Sequence, residues 1–110
     1  MDTKYEETRT KIKEFINAKE SSEIVFTQGT TDGLNRIVFG YFKYHLKKGN
    51  EVLLTESEHA SNILPWFALK EEIGINIKYI ELDENQEVTI ENVEKAITDK
   101  TKVISIAYIT

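Results

Sequence analysis

A turn that contains two glycines and two threonines is the first place in the sequence that could do chemistry. Residues 29–33 have the sequence Gly-Thr-Thr-Asp-Gly and follow a short apolar segment that ends at Thr27. A helix after this turn would present N–H groups without partners and the positive end of its dipole. Gly29 would let the backbone approach a ligand closely, and the hydroxyls of Thr30 and Thr31 would add donors. Such a turn is typical of a phosphate site at the carboxyl end of a strand.

The same turn has a plainer interpretation, in which Thr30 or Thr31 only caps the helix that follows. No lysine follows the second glycine, so the turn is not a P-loop, and it lacks the G-x-G-x-x-G spacing of dinucleotide sites. The residues alone therefore leave a phosphate site and a simple helix cap both open.

A second polar group, residues 55–62, follows another apolar segment. His59 can stack its imidazole on a flat ring and can move protons near neutral pH. Asn62 can fix the geometry of the loop or orient a ligand. Because both polar groups follow parallel strands, they are expected to open onto the same edge of the sheet. A single histidine is also often structural or merely exposed, and that alternative stays open.

Other side chains in these regions are predicted to have structural roles. Trp66 is expected to pack its helix against the sheet, and His45 is expected to be exposed near the end of a surface helix. Glu56 and Glu58 have no histidine partner at a metal-ligand spacing, so no metal site is predicted.

The elements that position these residues alternate along the chain. Hydrophobic periodicity and breaker residues predict helices at 4–18, 31–46, 65–73 and 89–97. Short apolar runs predict strands at 24–27, 51–55, 75–82 and 102–109. Gly49 and Gly74 are expected to end the second and third helices, and Thr89 to cap the fourth.

Alternation of this kind predicts an α/β fold with three layers, α/β/α, around a mainly parallel sheet. The run Val103-Ile104-Ser105-Ile106-Ala107 has the composition of a core strand, although an edge position for it stays open.

Composition narrows the classes of function. The 110 residues suit one domain, and a net charge of -5 argues against nucleic acid as a partner. The absence of cysteine excludes disulfides, thiolate metal sites and a cysteine nucleophile within these residues. No membrane span or signal peptide is predicted, so a cytoplasmic location is expected.

Taken together, the two polar groups resemble a known family. Residues 26–35, Phe-Thr-Gln-Gly-Thr-Thr-Asp-Gly-Leu-Asn, are similar to the phosphate-binding segment of class V aminotransferases, which have PLP fold type I. The match is closest to SUF-type cysteine desulfurases and their selenocysteine lyase relatives. In that branch the second segment typically has the sequence E-H-H-A-N-I-V-P-W. This chain departs from it at Ala60 and Ser61.

The resemblance implies a pyridoxal 5'-phosphate cofactor and a role for each matching residue. Gly29, Thr30 and Thr31 would hold the cofactor phosphate. His59 would stack on the pyridine ring and assist proton transfer as the catalytic residue, and Asn62 would be a cofactor-binding neighbour. The implied reaction converts cysteine to alanine and passes its sulfur, as a persulfide, to iron–sulfur assembly in a homodimeric enzyme.

The resemblance also implies residues that these 110 positions do not contain. They are the Schiff-base lysine, the aspartate paired with the pyridinium nitrogen and the persulfide cysteine. Residues 1–110 are therefore expected to be part of the large, cofactor-binding domain, truncated at both ends and inactive alone. Two alternatives stay open, a fragment of another class V aminotransferase or lyase and a non-catalytic binding remnant.

Overall fold

A parallel sheet of three strands forms the centre of the computed structural model, which describes residues 3–107. The strands are β1 Glu51–Thr55, β2 Asn76–Ile80 and β3 Thr101–Ile104, in the order β2-β1-β3. β1 is parallel to both neighbours, and its pairing with β3 contains an irregularity after Glu51. The prediction of a parallel α/β arrangement is confirmed.

β1 is central because its sequence suits burial on both faces. All five of its residues are buried, and Val52, Leu53 and Leu54 are fully inaccessible to solvent. An unbroken apolar run is the expected composition of a strand that has helices on both sides. The predicted bounds of this strand, 51–55, agree with the structure.

The helices cover the two faces of the sheet. They are α1 Thr3–Phe15, α2 Thr30–Ile37, α3 Lys43–His45, α4 Ala60–Ile73 and α5 Ile90–Ala96. One core cluster contains Val38, Val52, Leu54, Trp66, Leu69 and Ile75. A second cluster contains Leu53, Ile80 and Ala96 and lies on the α5 side. Alternate residues of β1 thus face opposite helical layers, which confirms the three-layer prediction and the core position of Trp66.

The predicted strand at 24–27 is wrong. Ile24 begins an extended segment, and no strand forms at residues 24–27. The Ile24 carbonyl accepts a hydrogen bond from the Arg9 guanidinium, at 2.5 Å, instead of one from a neighbouring strand. An apolar, β-branched segment becomes a strand only when another strand lies beside it.

The bounds of the first two predicted helices differ from those in the structure. α1 ends at Phe15 because Asn17 takes a left-handed conformation and the amides of Asn17 and Ala18 close a Schellman-type end. The helix predicted at 31–46 begins at Thr30, and a π-helical turn, Val38–Phe42, joins α2 to α3. Leu46 rather than Gly49 follows the last helical residue.

The third predicted helix starts five residues earlier than expected. α4 begins at Ala60, and Pro65 lies inside it rather than in its first turn. Gly74 ends this helix in the left-handed conformation, and Thr89 caps α5 through the amide of Asn92, so both cap predictions are confirmed.

The last two strands are shorter than predicted. β2 covers 76–80 rather than 75–82, and β3 covers 101–104 rather than 102–109. Residues 108 and 109 of that prediction lie outside the described residues. β3 occupies an edge position, the alternative that its sequence left open. Within residues 3–107, no helix is both long enough and apolar enough to cross a membrane.

Candidate functional site

A cleft of about 440 Å³ lies where the carboxyl ends of β1 and β3 meet the N-termini of α2 and α4. Its walls include Thr30 and Leu34 of α2, His59 and Asn62 around the start of α4, and Ile106 after β3. The prediction that the two polar groups open onto one edge of the sheet is therefore confirmed. Clefts of this size at the carboxyl end of a parallel sheet are the usual place for small ligands.

The N-terminus of α2 forms one wall. Gly29 is the residue before the helix, with a φ of 117°, and nothing lies within 4 Å of the position that a Cβ would take. Neither threonine caps the helix, because Thr30 and Thr31 are its first two residues and no side chain caps it. The simple-cap interpretation is wrong, and the first amides of the helix stay available to a ligand.

Asp32 ties this turn to the segment before it. Its carboxylate accepts a hydrogen bond from the Gln28 amide at 2.9 Å and contacts the Arg36 guanidinium at 3.0 Å. These two contacts, first the amide and then the guanidinium, lower the pKa of the Asp32 carboxyl. The aspartate therefore stabilises the shape of the turn.

The two threonines of the turn face different surroundings. Thr30 lines the cleft. Thr31 is directed toward α4, where its hydroxyl donates to the Ser61 hydroxyl at 3.2 Å. The sequence grouped them as equal phosphate donors, but the helical turn of roughly 100° per residue separates neighbouring side chains.

His59 forms the opposite wall and caps α4. Its Nδ1 accepts a hydrogen bond from the Ser61 amide at 3.2 Å and lies 2.8 Å from the Ser61 hydroxyl. The imidazole is otherwise exposed to the cleft. Histidine is not among the residues that usually cap helices, which is why the sequence did not predict this role.

A buried carboxylate supports the loop that carries His59. Glu58 is 8% exposed and has a hydrogen bond from the Thr55 hydroxyl at 2.5 Å. It also accepts from the Ala107 amide at 2.9 and 3.2 Å, and from the Asn62 side chain at 2.8 Å. A buried charge is costly unless it is hydrogen-bonded in this way. Glu58 therefore joins the ends of β1 and β3 to α4.

Asn62 completes this network. Its amide nitrogen donates to Glu58 and to the carbonyl of Ser105, at 3.0 Å. Its amide oxygen accepts from Trp66 Nε1 at 3.2 Å and from the Ser105 hydroxyl at 2.7 Å. Since the side chain has four hydrogen bonds within the protein, the geometry favours the loop-fixing role over direct contact with a ligand.

The sequence did not predict the roles of Glu58, Ser61 and Ser105. The spacing of four between Glu58 and Asn62 was a signal, because such residues share one side of a helix start. Ser105 carried no local signal, since it reaches Asn62 across 43 positions. His45 is exposed, as predicted, and its contacts are with Tyr41, which does not line the cleft. No cluster of potential metal ligands occurs among residues 3–107.

The whole chain, residues 1–110, matches the family model of the class V aminotransferases. The chain belongs to the class V aminotransferase family. The chain is 48% identical over 106 residues to a probable cysteine desulfurase of Borreliella burgdorferi. The match covers 94% of this chain and 25% of the relative. A probable cysteine desulfurase of Halalkalibacterium halodurans is 39% identical, with 96% of this chain and 26% of the relative covered. The chain thus spans about a quarter of the length of these curated relatives.

Solved structures support the same family assignment. The apo cysteine desulfurase of Thermococcus onnurineus NA1 matches with a TM-score of 0.81 and 35% identity, covering 94% of this chain and 25% of that one. The cysteine desulfurase CsdA of Escherichia coli also has a TM-score of 0.81, with 26% identity, covering 91% of this chain and 25% of that one. The class V family member therefore has the fold of PLP-dependent cysteine desulfurases, as its motifs predicted.

Proposed function

We propose that residues 1–110 are part of the cofactor-binding large domain of a cysteine desulfurase-like enzyme and that the cleft binds pyridoxal 5'-phosphate. The single observation that carries this proposal is that Thr30, at an open helix N-terminus, and the exposed imidazole of His59 line the same cleft. One wall suits a phosphate and the other suits a flat ring.

The residues present fit such a cofactor in size and in chemistry. The cleft of about 440 Å³ is within the usual range for a small ligand. Beyond Gly29 there is open space, so a phosphate can approach the first amides of α2 without a side chain in its way. Leu34 and Ile106 add apolar surface for a ring.

Each residue then has a defined task. The Thr30 hydroxyl and the amides from Gly29 to Thr31 would hold the phosphate, while the Thr31 hydroxyl fixes α2 against α4. His59 would lie against the ring and hold or move a proton at its imidazole. Asn62 and Glu58 would keep the His59 loop in place. When bound, the cofactor supplies the electron sink for chemistry at the substrate's α-carbon.

The reaction of the complete enzyme is part of the same proposal. Its support is the match to relatives described as probable cysteine desulfurases. We infer that the substrate is cysteine, that its sulfur passes on as a persulfide for iron–sulfur assembly, and that the enzyme acts as a cytoplasmic homodimer.

The 110-residue chain by itself is proposed to be inactive. No lysine lines the cleft within the described residues, so none of them is placed to link to the cofactor. An enzyme that lacks some of the groups that act together in catalysis loses nearly all of its activity. Purified chain supplied with pyridoxal 5'-phosphate and cysteine is therefore expected to give no alanine and no sulfide. Turnover above a heat-denatured control would refute this expectation.

Binding is tested best with pyridoxine 5'-phosphate, which has no aldehyde and cannot react with surface lysines. We expect it to move the amide resonances of residues 29–33 and the ring resonances of His59 in the nuclear magnetic resonance (NMR) spectrum. Unphosphorylated pyridoxine should move neither. If pyridoxine 5'-phosphate also leaves both sets in place, the cleft is not a cofactor site.

Two variants separate the walls. Thr30→Val removes a hydroxyl from the phosphate wall and is expected to weaken binding by about 3- to 10-fold, the usual effect of one hydrogen bond. Its matched control is Thr10→Val on the exposed side of α1, which should bind as the parent does. His59→Asn keeps a good helix cap but removes the ring, so weaker binding with intact folding would identify the imidazole as the contact.

A further inference from the structure

Three side chains form a chain of hydrogen bonds between the two walls of the cleft. The Thr31 hydroxyl donates to the Ser61 hydroxyl at 3.2 Å, and the Ser61 hydroxyl lies 2.8 Å from His59 Nδ1. The Ser61 amide points at the same nitrogen from 3.2 Å. Ser61 is therefore the one residue of this group that contacts both the phosphate turn and the imidazole.

The direction of these bonds follows from what each group can do. A backbone N–H can only donate, so His59 Nδ1 must carry its lone pair toward the Ser61 amide. The neutral imidazole then has its hydrogen on Nε2. The Ser61 hydroxyl has a single hydrogen and directs it to Nδ1, and its oxygen accepts the hydrogen of Thr31. The Ser61 amide and hydroxyl thus both donate to His59 Nδ1, and the Thr31 hydroxyl donates to the Ser61 hydroxyl.

The other histidine of the chain has the opposite arrangement. His45 Nδ1 lies 2.7 Å from the carbonyl oxygen of Tyr41, and a carbonyl can only accept. His45 therefore carries its hydrogen on Nδ1. The molecule contains an internal reference for each of the two tautomers.

We propose that Ser61 is a positioning residue of the cleft, which holds His59 as the Nε2–H tautomer and links the imidazole to Thr31. This inference rests on the proposed function only for the use that the enzyme makes of His59, because the tautomer is a property of the chain without cofactor. Within residues 3–107, Nε2 has no protein partner. Ser61 thus leaves Nε2–H as the free donor of the ring, while Nδ1 is committed to the helix.

Ser61 also couples the walls mechanically. α2 and α4 pack against each other, and the Thr31–Ser61 bond joins their first turns. A ligand that moves the first turn of α2 changes the geometry of the Ser61 hydroxyl, and through it the bond to His59. Thr31 therefore acts on the histidine only through Ser61.

The test is a long-range proton–nitrogen NMR spectrum of both imidazoles, recorded on the cofactor-free chain at about pH 8, well above the ordinary histidine pKa of about 6.5. We expect His59 to show the Nε2–H pattern with a hydrogen-bonded Nδ1, and His45 to show the Nδ1–H pattern. In Ser61→Ala the Nδ1 resonance of His59 should move toward that of an unbonded nitrogen. Ser61→Thr keeps the hydroxyl and should restore the parent position.

The controls separate a specific link from a general change of structure. Ser57→Ala removes a hydroxyl of the same loop that bonds Thr55 instead, so it should leave His59 unmoved. Thr31→Val should shift Nδ1 in the parent but cause no further shift when Ser61 is already alanine. An Nδ1–H pattern for His59, or an unmoved Nδ1 in Ser61→Ala, would overturn the proposal.

The outcome is independent of cofactor binding. If the spectra agree with the expected tautomers but pyridoxine 5'-phosphate does not bind, the proposed function fails while the role of Ser61 stands. If pyridoxine 5'-phosphate binds but Ser61→Ala leaves the His59 Nδ1 resonance unchanged, the role of Ser61 fails while the proposed function stands.

Discussion

His45 and His59 are the same side chain placed at opposite ends of helices. His45 is the last residue of α3. It stacks on Tyr41 of the preceding π-helical turn, with ring centroids 4.0 Å apart, and donates to the carbonyl of that residue. His59 precedes the first residue of α4 and bonds an amide. Helix ends expose carbonyls at one end and N–H groups at the other, so the end determines which tautomer the imidazole adopts.

The surroundings of the two histidines differ as much as their bonds. His59 follows a buried carboxylate with three partner groups, whereas His45 lies in an exposed stretch between Tyr44 and the lysines that follow. A histidine becomes part of a site when the protein fixes its loop. For His59 the fixing groups are Glu58 and Asn62.

The strongest way to break this contrast is to remove the support of His59. Asn62→Ala would leave Trp66 Nε1 and the Ser105 hydroxyl without partners and would remove one hydrogen bond of Glu58, and a buried polar group without a partner costs about 1–3 kcal/mol. We expect the free energy of unfolding in urea to fall by roughly 2–4 kcal/mol, toward the high end for point mutations. The exposed Asn85→Ala should change it by less than about 0.5 kcal/mol. Equal effects of the two substitutions would show that the network contributes little.

A direct comparison of the histidines should give a smaller difference. His59→Ala removes the cap of α4 and is expected to lower the free energy of unfolding by about 1 kcal/mol. His59→Asn should recover most of this loss, because asparagine is a good cap. His45→Ala, at an exposed helix end, should cost about 0.5 kcal/mol or less. Urea midpoints recorded at one fixed pH measure all three changes in the free energy of unfolding. A greater loss from His45→Ala would contradict the comparison.

The first turn of α2 is a third helix end, and its contribution to stability is expected to depend on pH through Asp32. The folded pKa of Asp32 is below its ordinary value of 3.8, first because of the Gln28 amide and then because of Arg36. Its contribution to stability is therefore present above pH 3.8 and is lost as the pH falls through the lowered pKa.

The Asp32 carboxyl signal in an NMR titration should report this directly. Its midpoint is expected below 3.8 in the parent and should rise partway in Arg36→Gln, since the larger contact with Gln28 remains. Because this carboxyl is partly exposed to solvent, the effect on stability should be the smallest of the three. A midpoint at or above 3.8 would remove Asp32 from the groups that shape the turn.

The sequence predicted correctly those features of the fold that depend on a few neighbouring residues. The apolar run of β1 specified a strand buried on both faces, Gly74 specified a left-handed helix end, and Thr89 specified a cap. The sequence also predicted that the two polar groups open onto one edge of the sheet, and Thr30 and His59 line one cleft there, although the strand predicted before Thr30 does not form. Their roles toward a cofactor stay predictions.

What the sequence could not predict depends on distant partners. Residues 24–27 have strand composition, but pairing is decided by what lies beside them, and the Arg9 side chain occupies the Ile24 carbonyl. Proline suggested that α4 starts at Pro65, whereas the cap at His59 starts it at Ala60. The contacts of Glu58 with Ala107 and of Asn62 with Ser105 cross more than 40 positions. No local pattern encodes such contacts.

The edge position of β3 has a consequence for how the chain behaves in concentrated solution. No strand pairs with the outer side of β3 among residues 3–107, and residues 103–107 contain β-branched side chains but neither charge nor proline. Such edges accept the extended segments of other molecules and begin ordered aggregates. Each edge strand carries one lysine, Lys78 in β2 and Lys102 in β3, and lysine discourages this pairing, but the run after Lys102 is uncharged. Self-association should therefore start at β3, and a lysine in place of the half-exposed Ile104 is the substitution that would suppress it.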